Sequence, residues 1–370
     1  MPHDPYKALY VHIPFCVKRC GYCDFTTRAM AKESREIDDY IEDLVMQLFR
    51  KSREGELSAI ETVYLGGGTP SYIGQKRLGS LLYALSTSLN LSREGMECTM
   101  EANPESVDDR LIKDVWALGV NRLSLGVQSF DDEVLGILGR AHDANTAMRA
   151  IRDAHERFEN VSVDLMCGIP GQSDESFASS VESAIEAGVT HVSIYPLTIE
   201  EHTPFYRAVL SGEVEEPDDD TEARHMKLAG DLLASAGFER YEVASYAKPG
   251  FESKHNTVYW TGVPYLGLGV SAATMTQNAE RRMRVKDGQV TDDLMRPQME
   301  AEDLMLGMRM SCGLSASRIE KAREWLPCLD ECLEELSQLG LATWIDGRFV
   351  PTEKGWLCGN ELYGRLFDLA

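Results

Sequence analysis

Three cysteines lie within eight residues of the segment His12-Ile-Pro-Phe-Cys16-Val-Lys-Arg-Cys20-Gly-Tyr-Cys23-Asp-Phe25, with the spacing C-x3-C-x2-C. The apolar run Leu9–Ile13 before them predicts a buried strand, so the cysteines should lie on the loop at its C-terminal end. Soft thiolate ligands this close together favour an Fe–S cluster, zinc or copper(I). Zinc usually needs two ligand pairs or a supporting histidine pair, and neither follows. A [4Fe–4S] cluster on three cysteines would leave one iron open to a small molecule. Reduced cysteines without a ligand, or a disulfide, are the alternatives.

Strands and helices alternate beyond this loop. Apolar periodicity predicts about six strand–helix units before residue 200, which indicates an α/β fold with a parallel sheet. Six units are too few for a closed eight-unit barrel, so an open barrel is expected. The predicted strands are 60–65, 98–101, 122–128, 161–166 and 191–195, and a further strand is predicted over 241–243.

Polar or glycine residues follow several of these strands. Gly66, Gly67, Gly68 and Thr69 follow one strand, and Glu101, Gln128 and Asp164 end or lie near the end of three others. Barrel folds place their chemistry on the loops at the C-terminal ends of the strands, so these residues should share one cavity with the cysteines. Taken singly, the glycines could form an ordinary tight turn, and Glu101 could simply cap the next loop.

The cysteine segment resembles the signature of the radical S-adenosylmethionine (SAM) superfamily. Its flanks, Tyr10-Val-His-Ile-Pro-Phe and Gly-Tyr-Cys-Asp-Phe25, are similar to the branch that contains the oxygen-independent coproporphyrinogen III dehydrogenase family (HemN) and the haem chaperone family (HemW). The resemblance covers nearly the whole chain. It implies a partial (β/α)6 barrel, a [4Fe–4S] cluster on Cys16, Cys20 and Cys23, and SAM as a second cofactor.

The same resemblance implies a SAM site built from residues that match family positions. The glycine motif would hold the amino group of SAM, Arg140 would pair with its carboxylate, and Asp164 suits its ribose hydroxyls. The full set of implied SAM contacts is Tyr10, Tyr22, Gly66, Gly67, Gly68, Thr69, Glu101, Gln128, Arg140 and Asp164.

Two features separate the two families. HemN-type enzymes carry a further cysteine two residues after the third, whereas Asp24 and Phe25 follow Cys23 here. The segment from His255 to Trp260 matches the H-N-x-x-Y-W motif of HemW proteins, in which the histidine is implicated in haem ligation. A lone histidine is more often a structural residue, but the motif favours a haem ligand on a loop near the barrel mouth.

Composition restricts the function further. The 370 residues carry a formal charge of −23, which argues against a nucleic-acid-binding role. The N-terminal residues lack the pattern of a signal peptide, and no apolar run could span a bilayer. Nine cysteines in such a chain indicate a reducing compartment and ligand use. We therefore expect a cytoplasmic protein.

Three regions are predicted: a radical SAM partial barrel over 1–210, a barrel extension carrying the H-N-x-x-Y-W loop over 211–290, and a C-terminal domain over 291–370. Two helices and a hairpin with the turn Asp346-Gly347 make the last region a small α+β, winged-helix-like domain.

The resemblance to the HemW family implies a haem chaperone that delivers haem to haem proteins of the respiratory chain. Transient contact with membrane proteins is among the expected interactions, and the chain would be a monomer or a homodimer. Coproporphyrinogen III dehydrogenase and a radical SAM tetrapyrrole methyltransferase are the enzymatic alternatives. The missing fourth cysteine argues against the dehydrogenase, so enzymatic activity is left open.

Overall fold

The computed structural model describes residues 3–216 and 218–370, so Met1 and Pro2 of the predicted leaderless start lie outside the described residues. The strands are β1 (Ala8–Ile13), β2 (Phe15–Cys16), β3 (Arg28–Ala29), β4 (Thr62–Gly67), β5 (Glu97–Ala102), β6 (Arg122–Gln128), β7 (Asn160–Cys167), β8 (His191–Pro196), β9 (Glu239–Arg240), β10 (Ser245–Ala247), β11 (Tyr265–Leu268), β12 (Ala273–Gln277), β13 (Arg281–Lys286), β14 (Gln289–Met295), β15 (Leu314–Ser315), β16 (Ala342–Ile345) and β17 (Arg348–Pro351).

Helices connect most of these strands. They are α1 (Arg35–Arg53), α2 (Gln75–Leu89), α3 (Asp109–Ala117), α4 (Asp132–Leu138), α5 (Ala144–His155), α6 (Asp174–Glu186), α7 (Pro204–Leu210), α8 (Asp219–Ser235), α9 (Lys254–Trp260), α10 (Arg296–Gly307), α11 (Ala316–Arg323), α12 (Leu329–Gln338), α13 (Glu353–Leu357) and α14 (Gly359–Phe367). Short 3-10 turns, Pro70–Ile73 and Pro104–Ser106, follow β4 and β5.

Parallel strands form the centre of a twelve-stranded sheet. The strands β1, β4, β5, β6, β7 and β8 pair in that order, and all these pairs are parallel. Helices cross over between successive strands, as parallel pairing requires. The outermost strands of the described sheet, β14 and β9, are not paired with each other, so the barrel is open. The prediction of six units in an open α/β barrel is confirmed.

The strand β1 lies in the centre of the sheet and is buried on both faces. Five of its six residues are buried, and it lies between β11 and β4. The sequence of a parallel strand that is covered on both faces is typically a nearly continuous apolar run. Helix α1 covers this part of the sheet with one apolar stripe, formed by Ile37, Ile41, Leu44 and Leu48.

Two local predictions were wrong. The predicted strand over 241–243 is instead an irregular connection between β9 and β10, in which Glu242 makes an isolated bridge with Met310. No strand was predicted over residues 265–268, which form β11 and pair in parallel with β1. Three further antiparallel strands, β12 to β14, extend the sheet beyond β11. In both regions the secondary structure depends on pairing with strands that are distant in the sequence, and the local sequence pattern does not show this pairing.

The C-terminal region has its own apolar cluster, drawn from residues 301–366. Helices α11 and α12 lie beside a three-stranded sheet in the order β15-β17-β16. The hairpin β16–β17 turns at Asp346 and Gly347, with φ of 47° and 75°, as the Asp-Gly turn predicts. This agrees with the predicted winged-helix-like domain, whereas the boundaries at residues 210 and 290 stay predictions.

Candidate functional site

A pocket of about 460 Å³ opens at the C-terminal ends of the parallel strands. This volume is in the range of small-molecule sites. Its lining includes eleven of the predicted site residues, namely Cys16, Cys20, Tyr22, Cys23, Gly67, Gly68, Thr69, Glu101, Gln128, Arg140 and Asp164. Three predicted residues, Tyr10, Gly66 and His255, are not part of that lining.

The cysteine loop forms one wall of this pocket. All three thiols are partly exposed and free, so the disulfide alternative does not apply. The Cys16 Sγ accepts from the Thr69 hydroxyl at 3.5 Å, and the Cys20 Sγ accepts from the Arg140 guanidinium at 3.3 Å. Burial raises the pKa of the Cys16 thiol to about 11 in the ligand-free chain. Donors directed at sulfur suit thiolates that carry negative charge.

The three thiols do not surround a single point. Within residues 3–216 and 218–370, no three His, Cys, Asp or Glu side chains converge closely enough to hold one metal ion. A four-iron cluster takes each thiolate on a different iron, so its ligands need not converge on one point. Three thiols spread around one pocket are therefore compatible with such a cluster.

The glycine loop after β4 brings backbone groups close to the cysteine loop. Gly67 has a φ of 111°, and a Cβ there would lie 2.4 Å from the His12 ring. A Cβ on Gly68 would lie 2.8 Å from the backbone nitrogen of Phe15. Neither position can therefore accept a side chain without moving its neighbours. Gly66 lies directly beneath, where a Cβ would meet the Glu101 carboxylate at 2.9 Å.

Glu101 lies in the floor of the pocket. Its Oε1 accepts from the Tyr64 hydroxyl at 2.8 Å, and its Oε2 accepts from the Gly67 N–H at 3.0 Å. Burial raises its pKa to about 7, although the bond from Tyr64 lowers it. Burial likewise raises the pKa of Asp164, on the neighbouring floor, to about 6, against the attraction of Arg122. The floor thus holds two carboxyl groups that titrate near neutral pH.

Arg140 joins three elements at the pocket wall. Besides the Cys20 sulfur, its guanidinium donates to the Asn103 Oδ1 at 2.9 Å and to the Gly126 carbonyl at 2.6 Å. Asn103 in turn donates to the Thr69 hydroxyl at 3.0 Å. Nearby Gln128 has a φ of 69° at a break in the β6–β7 register. Such a backbone conformation in a non-glycine residue is uncommon and clusters at functional sites.

Tyr10 lies just below the pocket. Its hydroxyl is 3.0 Å from the His12 Nδ1, and its ring centroid is 6.2 Å from that of Tyr64. It therefore supports residues that line the pocket but does not itself form part of the lining. Burial raises its pKa far above the ordinary value for tyrosine, so it is uncharged at neutral pH.

The H-N-x-x-Y-W segment was predicted to be a loop near the barrel mouth, and this was wrong. It forms helix α9, whose N-terminus is capped by Ser253. The helix lies at the N-terminal ends of the strands, because the N–H groups of Lys254 and His255 both donate to Glu97, the first residue of β5, at 2.9 Å. Contacts with residues far away in sequence formed this helix and placed it at the base of the barrel.

His255 is only 1% exposed there. Its Nδ1 is 2.9 Å from the Thr62 hydroxyl, and its Nε2 is 3.0 Å from the Tyr259 hydroxyl. Burial lowers its pKa to about 3, so the ring is neutral. Its ring stacks on Tyr64 with centroids 5.0 Å apart, and Tyr64 reaches the pocket. Both ring nitrogens are therefore occupied in this conformation, and haem ligation by His255 stays a prediction.

Sequence reasoning missed several residues of the site. Asn103 connects the glycine and arginine walls, Tyr64 holds Glu101, and Arg122 lies beneath the floor. Asn103 follows the end of β5 directly, so its position at a strand end could have identified it. Tyr64 and Arg122 face inward by the alternation of their strands, but that alternation does not show which face meets the pocket.

Comparisons with known proteins show which sequences this chain resembles. A model of the radical SAM superfamily matches residues 10–184. A protein of Bacillus subtilis named heme chaperone HemW is 31% identical over 97% of this chain and 98% of its own. The protein of that name from Mycobacterium tuberculosis is 34% identical over 98% and 95%, and that from Escherichia coli K12 is 39% identical over 72% and 70%.

A solved structure has the same fold. Coproporphyrinogen III oxidase (HemN) from Escherichia coli superposes with a TM-score of 0.80, covering 100% of this chain and 92% of that one, at 21% identity. At this identity the likeness shows a shared fold and carries nothing about activity. Among the helices of the described residues, none is long and apolar enough to cross a membrane.

Proposed function

The chain belongs to the radical SAM superfamily and, within it, to the HemW heme chaperone family, and on this premise we propose that it binds haem and delivers it to haem proteins. The observation that carries the proposal is the cysteine loop, which has three cysteines and then Asp24 and Phe25 where HemN-type enzymes have a fourth cysteine. The full-length similarity to proteins named HemW supports the same conclusion.

The cysteine loop would hold a [4Fe–4S] cluster. Cys16, Cys20 and Cys23 line one side of the pocket, and the hydrogen bonds from Thr69 and Arg140 to two of the sulfurs would stabilise thiolate ligands. When bound, such a cluster supplies one-electron chemistry and an open iron. The glycine loop, which has no room for side chains at Gly67 and Gly68, would lie beside it.

The remainder of the pocket would bind SAM. Its floor carries Glu101, which can balance the positive sulfonium or amino group, and Asp164, which suits the ribose hydroxyls. Arg140 is the natural partner of the methionine carboxylate, although it would have to keep or exchange its bonds to Asn103 and Gly126. The glycine loop offers unobstructed backbone groups to the amino end. This distribution of charged groups supports the proposed SAM site.

Haem ligation by His255 would need helix α9 to move. Both ring nitrogens are hydrogen-bonded and the ring is buried, so iron has no access in the conformation described. The carboxylate of Glu97 fastens the first turn of α9 and opposes that movement. We infer that His255 becomes a ligand only after α9 detaches from β4 and β5. The fraction of molecules in which α9 is detached would then control haem affinity.

The test compares transfer with turnover. The full chain is reconstituted anaerobically with iron and sulfide, supplied with SAM, and assayed both for haem transfer to an apo-haemoprotein and for conversion of coproporphyrinogen III. We expect haem transfer without decarboxylated porphyrinogen. Decarboxylated product together with 5′-deoxyadenosine would instead assign the chain to the dehydrogenase activity, and haem that never leaves the chain would refute the chaperone role.

The proposal also covers the location of the protein and its partners. We propose a cytoplasmic location, haem proteins of the respiratory chain as acceptors and transient contact with membrane proteins. The strongly negative charge of −23 supports partners other than nucleic acid. Either a monomer or a homodimer is compatible with this role, and sedimentation of the reconstituted chain with and without haem distinguishes them.

A further inference from the structure

His142 is a buried histidine whose two hydrogen-bond partners are both acceptors. Its side chain has no exposed surface, its Nδ1 lies 3.1 Å from the Glu105 Oε2, and its Nε2 lies 3.1 Å from the Val127 carbonyl oxygen. An ionised carboxylate and a carbonyl oxygen accept hydrogen bonds but cannot donate them. Both bonds can therefore form at once only when each ring nitrogen carries a proton, that is, when the ring is an imidazolium.

The other buried histidines of the described residues do not need a second proton. The His225 Nδ1 accepts from the Gly168 N–H at 3.3 Å, so its ring is satisfied by one proton on the other nitrogen. Each of the remaining three lies within hydrogen-bond distance of at least one hydroxyl group, which can donate to a neutral ring. These three are His12, His191 and His255. The need for two protons is therefore specific to His142.

Glu105 supplies a negative charge beside this ring. Although burial opposes it, the hydrogen bond with His142 keeps the pKa of the Glu105 carboxyl below its ordinary value. Arg140 is a nearby cation and opposes a second proton on the ring. Three other carboxylates in the surrounding segments accept from backbone N–H groups in the first turns of α3 and α5, and these are Asp108, Asp132 and Asp143. Glu105 is thus the carboxylate that His142 contacts directly.

His142 joins the same two segments that hold Arg140. The guanidinium of Arg140 bonds a side chain just beyond β5 and a carbonyl oxygen of β6. His142 bonds the same two segments at Glu105 and Val127. Two parallel links therefore fasten the turn between α4 and α5 to the ends of these strands. Neither His142 nor Glu105 lines the pocket, so their effect on a ligand must pass through Arg140.

We propose that His142, as an imidazolium paired with Glu105, is a positioning residue that holds the Arg140 guanidinium at the pocket wall, so that ligand affinity falls when the ring loses its second proton. The inference rests on the proposed function for the identity of the ligand, SAM, and for the contact of Arg140 with it. A ring with one proton can donate to only one of its two acceptors. The turn that carries Arg140 is then fastened by His142 at one point instead of two.

The first test counts the ring protons of His142 in the full-length chain without SAM. Histidine labelled with nitrogen-15 in the ring is incorporated, and the His142 signals are identified by their loss in His142→Gln, or in His142→Asn if that variant folds poorly. The signals are followed by NMR from about pH 5 to about pH 9. We expect both nitrogens to carry a proton at the acidic end and one of them to lose it as the pH rises.

Glu105→Gln should move the midpoint of this titration to lower pH by about one unit, because the attraction of the carboxylate is lost. The signals of His225 should be the same in both chains. A His142 ring that carries a single proton throughout the range would overturn the proposal, and so would an unchanged midpoint in Glu105→Gln.

The positioning of Arg140 is measured on the same chain. The guanidinium N–H signals of Arg140 should exchange with solvent about tenfold faster in His142→Gln than in the wild type at the acidic end, and equally fast at the basic end. Equal exchange at both ends would refute the role, because Arg140 would then be held without His142.

The second test measures SAM affinity against pH in the reconstituted chain. The carboxyls of Glu101 and Asp164 also titrate near neutral pH, so the useful quantity is the ratio of wild-type affinity to that of His142→Gln. We expect this ratio to be about tenfold at the acidic end and to approach one at the basic end, with the same midpoint as the NMR titration. A ratio that does not change with pH would indicate a merely structural defect and refute the role. If the wild type does not bind SAM at all, the proposed function fails, whereas the ring titration and the Arg140 signals still decide the role of His142.

Discussion

Replacing Glu97 with glutamine should make the chain bind haem more tightly while making it less stable. The Glu97 carboxylate is 6% exposed and accepts from the N–H groups of Lys254 and His255, each at 2.9 Å, and from the Ser253 hydroxyl at 3.5 Å. These bonds fasten the first turn of helix α9 to β5. The variant therefore tests whether haem needs this helix to detach.

The size of the effect follows from the bonds that are lost. A hydrogen bond to a charged group contributes about 1.5–3 kcal/mol, and a neutral amide has one acceptor oxygen where the carboxylate has two. Losing one such bond lowers the free energy of opening α9 by at least about 1.4 kcal/mol, which corresponds to a factor of ten in the open population. If only the open state binds haem through His255, the apparent dissociation constant falls about tenfold.

Two measurements on the same samples check this. Hydrogen exchange of the Lys254 and His255 amides reports the opening of α9, and a haem titration followed at the Soret band reports affinity. Asp143→Ala is the matched control, because it removes a helix cap at Thr146 in α5, far from α9 in sequence, at a cost of about 1 kcal/mol. The control should lose stability without gaining haem affinity.

Faster exchange at α9 with unchanged haem affinity would refute the reasoning, because opening would then be irrelevant to haem. Slower or unchanged exchange would show that Glu97 does not fasten the helix.

Four further predictions concern the pocket and its ligands. Serine at Cys16, Cys20 or Cys23 should remove most of the broad visible absorption of the reconstituted chain, whereas Cys312→Ser, at an exposed cysteine, should not; full iron content in the triple variant would contradict the ligand assignment. Arg140→Ala should weaken SAM binding by roughly 1.5–3 kcal/mol in equilibrium dialysis, whereas the control Arg149→Ala, at an exposed arginine, should not. Wild-type affinity in both Arg140→Ala and Asp164→Ala would exclude the proposed SAM site. His255→Ala should alter the Soret band and spin state of bound haem, whereas exposed His202→Ala should not; identical spectra in oxidised and reduced forms would rule out His255 as the ligand. The folded chain raises the pKa of Glu101 to about 7, so between about pH 4.5 and pH 7 it holds a proton that the unfolded chain has released, and the free energy of unfolding falls as the pH rises through this range. Glu101→Gln should lessen this fall, as measured by denaturant titrations at several pH values. An equally steep fall in the variant would contradict the raised pKa.

Much of the barrel could be predicted because its signals are local. The segment from Leu9 to Ile13 is a mostly apolar run, and helix α1 repeats its apolar residues at helical spacing. Parallel strands joined by helices necessarily present all their C-terminal ends on one side. That geometric rule alone placed Cys16, Gly67, Glu101 and Asp164 around one pocket, as the structure describes.

The base of the barrel could not be predicted in this way. Helix α9 has seven residues, too few to form on their own, and contacts with Glu97 and Thr62 hold it, more than 150 residues away in the sequence. The H-N-x-x-Y-W motif was predicted to form a loop, and the local sequence gave no sign of these contacts. The strands β11 to β14 depend in the same way on an edge of the sheet that only the folded chain provides.

The amino-acid sequence by itself therefore determined the cysteine spacing, the order of strands and helices, and the end of the barrel at which the pocket lies, because each depends on neighbours in the chain. Only the tertiary structure decided which polar residues meet inside the barrel. Tyr64 came to hydrogen-bond Glu101, and His255 was buried at the base with both nitrogens bonded. The physical reason is that burial and long-range pairing set the charge and accessibility of these groups, and neither is encoded in any short segment.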